Sequence, residues 1–119
     1  MIKRLFLFAP ILTLVIGVQP ASAADSVTII NRSNHCAIVK AEYKEMRTGP
    51  ATRGPSPLHV DKGIKFTIYH AMTPIRVTAD VKKTSRCDSG TLTVITYTTD
   101  VENDRLKLVN MNGPQLVRD

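Results

Sequence analysis

Residues 75–82 alternate without a break: Ile75, Val77, Ala79 and Val81 are separated by Arg76, Thr78, Asp80 and Lys82. A side-chain period of two lines up one apolar row and one polar row on opposite faces of an extended strand. On a helix the same residues would be scattered around the axis. The chain must therefore supply a second apolar surface for this strand to cover, and the rest of the sequence does so in the same form. Ile64, Phe66 and Ile68 alternate with Lys65, Thr67 and Tyr69. Thr91–Thr99 is β-branched and threonine-rich, with Leu92 and Val94 on one face and Ile95 and Tyr97 on the other. Val27–Ile30 and Leu106–Met111 complete the clear strands, and Asn112-Gly113-Pro114 closes the last.

Two segments read less simply. Cys36–Met46 fits a strand, with Ala37, Val39, Ala41 and Tyr43 inward, and also a helix, through Cys36, Val39, Tyr43 and Met46. Ile38 and Val39 are β-branched and the neighbouring segments are strands, so the strand is favoured. Residues 47–57 hold three prolines and two glycines in eleven positions, which predicts a long irregular loop carrying Arg47 and Arg53. Short strands divided by turn signals predict an all-β fold: a small antiparallel β-sandwich of about six to seven strands. With no tryptophan in the chain, a true immunoglobulin core is not expected.

The N-terminus predicts export. Lys3 and Arg4 precede an apolar run from Leu5 to Val18, and Ala21-Ser22-Ala23 offers the small residues that signal peptidase accepts. The run is shorter than a membrane-spanning helix and ends at Pro20. We therefore expect residues 1–23 to be a cleaved signal peptide and 24–119 to be one domain. The residue directly after the cleavage point is Ala24, not cysteine, which argues against a lipid anchor. Loss of Lys3 and Arg4 reduces the 16 basic residues to 14, against 10 acidic ones. The mild positive excess suits an anionic envelope component or another exported protein as partner, and nucleic acid is not expected. The membrane would be met only through the leader.

Two cysteines, Cys36 and Cys87, are the whole complement. In an exported chain an even count predicts a disulfide, because the compartment is oxidising. His35, beside Cys36, offers a zinc ligand only if the thiols stay reduced, and no C-x-x-C spacing supports that use.

The remaining candidates carry weaker chemistry. Lys82, Lys83 and Arg86 cluster beside Cys87 on a connection that the disulfide would pin, and could grip phosphate or carboxylate. Arg47 and Arg53 add charge from the proline-rich segment. His70 and Met72 form a soft His-x-Met pair suited to copper, with Met46 and Met111 as distant helpers. Asp100, Glu102 and Asp104 place three carboxylates at alternate positions, as in a calcium loop. However, Arg105 and Met111 stand where an EF-hand needs glycine and glutamate. Asn31-Arg32-Ser33 is a formal glycosylation sequon. No G-x-S-x-G or other nucleophile motif occurs.

The sequence thus points to an exported, periplasmic or secreted binding module with no cofactor, not to an enzyme. Its partners would engage loops 47–63 and 82–90. Two other functions fit parts of it: a periplasmic copper carrier using His70 and Met72, and a small hydrolase inhibitor inserting the 47–57 segment into a cleft.

Overall fold

The computed structural model describes residues 24–45, 49–69 and 73–119. The expected leader, residues 1–23, lies outside them, as do Met46, Arg47, His70 and Met72. Eight strands form among the described residues: β1 (Ala24–Asn31), β2 (Ala37–Glu45), β3 (Gly49–Leu58), β4 (Gly63–Tyr69), β5 (Ile75–Lys82), β6 (Thr91–Thr99), β7 (Asp104–Asn110) and β8 (Pro114–Arg118). They make two four-stranded sheets, ordered β4-β1-β7-β8 and β3-β2-β5-β6.

The alternating rows decide which faces meet. Val27 and Ile29 of β1, Phe66 and Ile68 of β4, and Leu106 and Leu108 of β7 are buried in the first sheet. They face Val39, Ala41 and Tyr43 of β2 and Ile75, Val77, Ala79 and Val81 of β5. Each such aliphatic side chain contributes about 1.5–3 kcal/mol by leaving water. The 36–46 segment is the strand its β-branched residues favour. β2 lies between β3 and β5, so both of its backbone edges are hydrogen-bonded.

Two sequence expectations need correction. The 47–57 segment is not an irregular loop. Residues 49–58 are β3, paired antiparallel with β2 across a register shift between Val39 and Ala41, with a cis Gly54–Pro55 bond. The physical reason is position: on an edge strand half the N–H groups face away from the sheet, so a proline there removes no ladder bond. Asn112-Gly113 does not end the last strand but turns it. Both residues have positive φ, the conformation of a tight hairpin, and the chain returns as β8 against β7. These two strands raise the count to eight. The all-β, antiparallel-rich sandwich expected from the alternation is what forms; within it β1 and β7 pair in parallel, Val27 against Asp104 through Asn31 against Leu108, while the other pairings are antiparallel. A parallel pair needs a long crossover, and the passage through β2–β6 provides it.

Candidate functional site

One end of the sandwich is organised around the disulfide. Cys36 is fully buried just before β2, where its N–H donates to Thr84 O at 2.9 Å and its carbonyl accepts Lys82 N–H at 2.8 Å. The connection 83–90 is held by its own bonds: Lys83 N–H to Gly90 O at 2.8 Å, Arg86 N–H to Thr84 Oγ1 at 3.1 Å, and Ser89 Oγ to Arg86 O at 2.5 Å. Cys87 stands on it, bonded to Cys36 with a Cα–Cα distance of 5.1 Å. That separation lies inside the range a disulfide spans. The histidine that meets the bridge is not the one next to Cys36 in sequence. His35 turns its Nδ1 to Lys82 O at 2.9 Å, whereas His59, from the β3–β4 connection, places Nδ1 3.7 Å from Cys87 Sγ. Cys36 Sγ, Cys87 Sγ and a His59 ring nitrogen all lie within 4.8 Å of one another. Sequence reading missed His59, since nothing local connects it to a cysteine 28 residues away.

The cations of this end are largely matched. Lys82 Nζ sits 3.0 Å from Asp80 Oδ2, and the Arg86 guanidinium 2.7 Å from Asp88 Oδ2. Burial pushes the Asp80 carboxyl up, but hydrogen bonds from Thr91 and Lys82 outweigh it and hold the group below its ordinary range. The bond from Arg86 lowers Asp88 in the same direction. Among the described residues, Lys83 has no ion pair. Arg53 is elsewhere, its guanidinium 5.6 Å from the centre of the Tyr43 ring on the inner side of β3 and β2. The structure therefore does not bring Arg53 together with Lys82, Lys83 and Arg86.

The acidic turn also divides. Asp100 and Glu102 are exposed, while Asp104 is buried at the start of β7. Its oxygens accept bonds from Arg118 Nε at 3.0 Å, Thr99 Oγ1 at 2.6 Å and Arg105 N–H at 2.9 Å. With its lone pairs so occupied, Asp104 joins β6, β7 and β8 rather than turning outward with Asp100 and Glu102. Asn31, the sequon residue, is fully buried and donates through Nδ2 to His35 O and Leu58 O, at 2.7 and 3.0 Å. A glycan on that nitrogen is incompatible with this fold.

The four sheet edges differ in a way that bears on binding. β3 carries Pro50, Pro55 and Pro57 and a bulge; β8 is five residues long and holds Pro114 and Arg118; β4 carries Lys65. All three have features that discourage strand pairing. β6 lacks charge and proline, although an extra residue, Leu92, bulges it against β5 between Thr91 and Thr93. Its nine residues, Thr-Leu-Thr-Val-Ile-Thr-Tyr-Thr-Thr, include no glycine, and among the described residues it ends its sheet with β5 as its one paired strand. Ile95 and Tyr97 pack toward the core, while Leu92 and Val94 are 47 % and 58 % exposed on the outer face. The same sheet also carries a shallow depression of about 320 Å³ lined by Glu42, Lys44, Pro50 and Arg76, where the Arg76–Glu42 pair at 2.9 Å occupies the charges.

No protein-family profile, characterised protein or solved structure matches the chain.

Proposed function

We propose that the protein is an exported binding module that captures an extended segment of another exported protein as an added strand on β6. The observation that carries this reading is the exposed edge: a β-branched strand without charge or proline, regularly paired with β5 from Thr93 to Thr99 beyond the bulge at Leu92, with one row of backbone N–H and C=O groups unpaired within its sheet. In strand addition the main chain supplies affinity and alternate side chains supply selectivity. Leu92 and Val94 would meet apolar residues at alternate positions of the incoming segment, beside hydroxyls from Thr96 and Thr98. Export is supported by the disulfide together with the leader-like N-terminus.

The test is site-specific photo-crosslinking from Thr98 in cells exporting the protein, with and without the pair Val94→Lys/Thr96→Lys. Lysines at an edge oppose pairing, so crosslinks to an extended partner segment should be lost in the variant while β6 amides exchange more slowly in the complex. Crosslinks that persist in the lysine variant, or amide protection confined to residues 82–90, would overturn strand addition. Crosslinks solely between copies of this chain would replace a module for other proteins with a self-assembling one.

The copper and inhibitor readings gain no support of this kind. His70 and Met72 lie outside the described residues, and residues 49–57 of the inhibitor segment are held along β2.

A further inference from the structure

We propose that reducing the Cys36–Cys87 bond converts this end of the sandwich into a zinc site formed by Cys36 Sγ, Cys87 Sγ and His59 Nδ1. The two sulfurs and a His59 ring nitrogen already lie within 4.8 Å of one another, and they come from three separate segments of the chain. Tetrahedral zinc, with Zn–S of about 2.3 Å and Zn–N of about 2.0–2.1 Å, requires an N···S edge of roughly 3.6 Å and an S···S edge of roughly 3.8 Å. His59 Nδ1 stands 3.7 Å from Cys87 Sγ, so that edge is in place. What remains is for the two sulfurs to part from bonding distance, and Cys87 lies on the outer, less buried side of the pair.

Each ligand is fixed by bonds that do not depend on the disulfide. Cys36 is tied at its N–H and carbonyl to Thr84 and Lys82. Cys87 sits in the hydrogen-bonded 83–90 connection. The His59 carbonyl accepts Lys62 N–H at 3.1 Å, and the preceding Leu58 carbonyl is held by buried Asn31. Holding the donors before the ion arrives reduces the ordering entropy of binding. Two thiolates and an imidazole are a donor set that borderline-soft zinc favours, and exposed His59 leaves room for water at a fourth position.

The chemistry balances without an oxygen step. A dithiol reductant gives two electrons and two protons to the Cys36–Cys87 bond and becomes a disulfide itself, leaving two thiols. Zinc binding then releases one proton from each thiol. Metal occupancy and the disulfide are thus alternative fates of the same two sulfurs, and a bound ion should shield them from oxidation.

The experiment reduces the folded protein with a phosphine under nitrogen and titrates it with Co(II), whose thiolate charge-transfer absorption reports sulfur ligation, followed by displacement with Zn(II). We expect one ion per chain in the reduced protein and none in the oxidised protein. His59→Ala should weaken binding at least about tenfold, given that losing even an outer-shell partner costs 10–100-fold. His59→Cys should restore binding with a stronger charge-transfer band, a result that a merely structural histidine would not give. Absence of a stoichiometric band in the reduced protein, an unchanged affinity in His59→Ala, or loss of the β-sheet circular dichroism on reduction with zinc present would each overturn the site. None of these readouts depends on β6, so the strand-addition reading stands or falls separately.

Discussion

Asp104 shows how one side chain can tie three strands together. It is 4 % exposed and joins Thr99 at the end of β6, Arg118 in β8 and the backbone of β7. Burial alone would raise its carboxyl, but the bonds from Arg118, Thr99 and Arg105 N–H prevail and hold it below the ordinary value. A folded-state value below the unfolded one of about 3.9 means that Asp104 contributes stability fully above that pH and loses it as the pH falls through the folded value. Asp104→Ala should therefore cost about 2–3 kcal/mol near neutrality, the scale of hydrogen bonds to a charged group. The urea curves of variant and parent should converge as the pH drops below about 4, and a gap that stayed constant would place the effect in packing instead. Asn31 is the neutral counterpart. It bonds His35 O and Leu58 O while accepting Ser33 N–H and Oγ, so Asn31→Ala takes a donor from the buried Leu58 carbonyl and the acceptor from the buried Ser33 N–H. We expect a loss of about 3 kcal/mol, read from the urea midpoint. Neither role was legible in the sequence. Asp104 reads as one of three acids in a turn and Asn31 as a turn residue in a sequon, because their partners lie on other strands.

At the scale of elements, legibility followed alternation. β4, β5 and β6 could be read from period two, since burial on one face imposes that pattern directly. β3 could not, because an edge strand has half its backbone in solvent and one partner, so neither proline nor glycine disqualifies it. Its glycine is nonetheless demanding. Gly54 has φ +91°, and a Cβ there would lie 2.8 Å from Val39 O, the backbone it crosses at the bulge. Gly54→Ala combines a left-handed strain with a clash that no side-chain rotation relieves. The expected cost is ~2–4 kcal/mol in thermal unfolding, against about 1–2 kcal/mol for Gly49→Ala, where φ is positive but the space is open. Equal effects at both sites would show that φ alone, not the approach to β2, sets the cost. Both edge strands of this sheet carry a bulge, and composition separates them: β3 holds three prolines and β6 none.

For the molecule as a whole, the Cys36–Cys87 bridge is the constraint with the longest reach. It lies at one end of the sheet that holds β2 and β5, anchoring the entry to β2 against the β5–β6 connection, and it closes a loop of 51 positions. On the chain-entropy argument that closure is worth about 4 kcal/mol, acting mainly by restricting the unfolded chain. The core it supports is aliphatic, with three phenylalanines and three tyrosines and no tryptophan in the sequence, so the bridge carries a large share of a small domain's stability of about 5–15 kcal/mol. Reduction should therefore lower the melting temperature by roughly 20 °C, taking 4–8 °C per kcal/mol for a domain of this size. The strand pairings do not depend on the bridge, so the reduced protein should still melt cooperatively. Zinc added to it should raise the melting temperature, because an ion that binds only the folded state stabilises that state. The oxidised protein and reduced His59→Ala should respond to zinc far less. A reduced protein whose melting temperature matches that of the oxidised form would show that the bridge contributes little to stability. A zinc response equal in reduced parent and reduced His59→Ala would remove His59 from the metal's coordination.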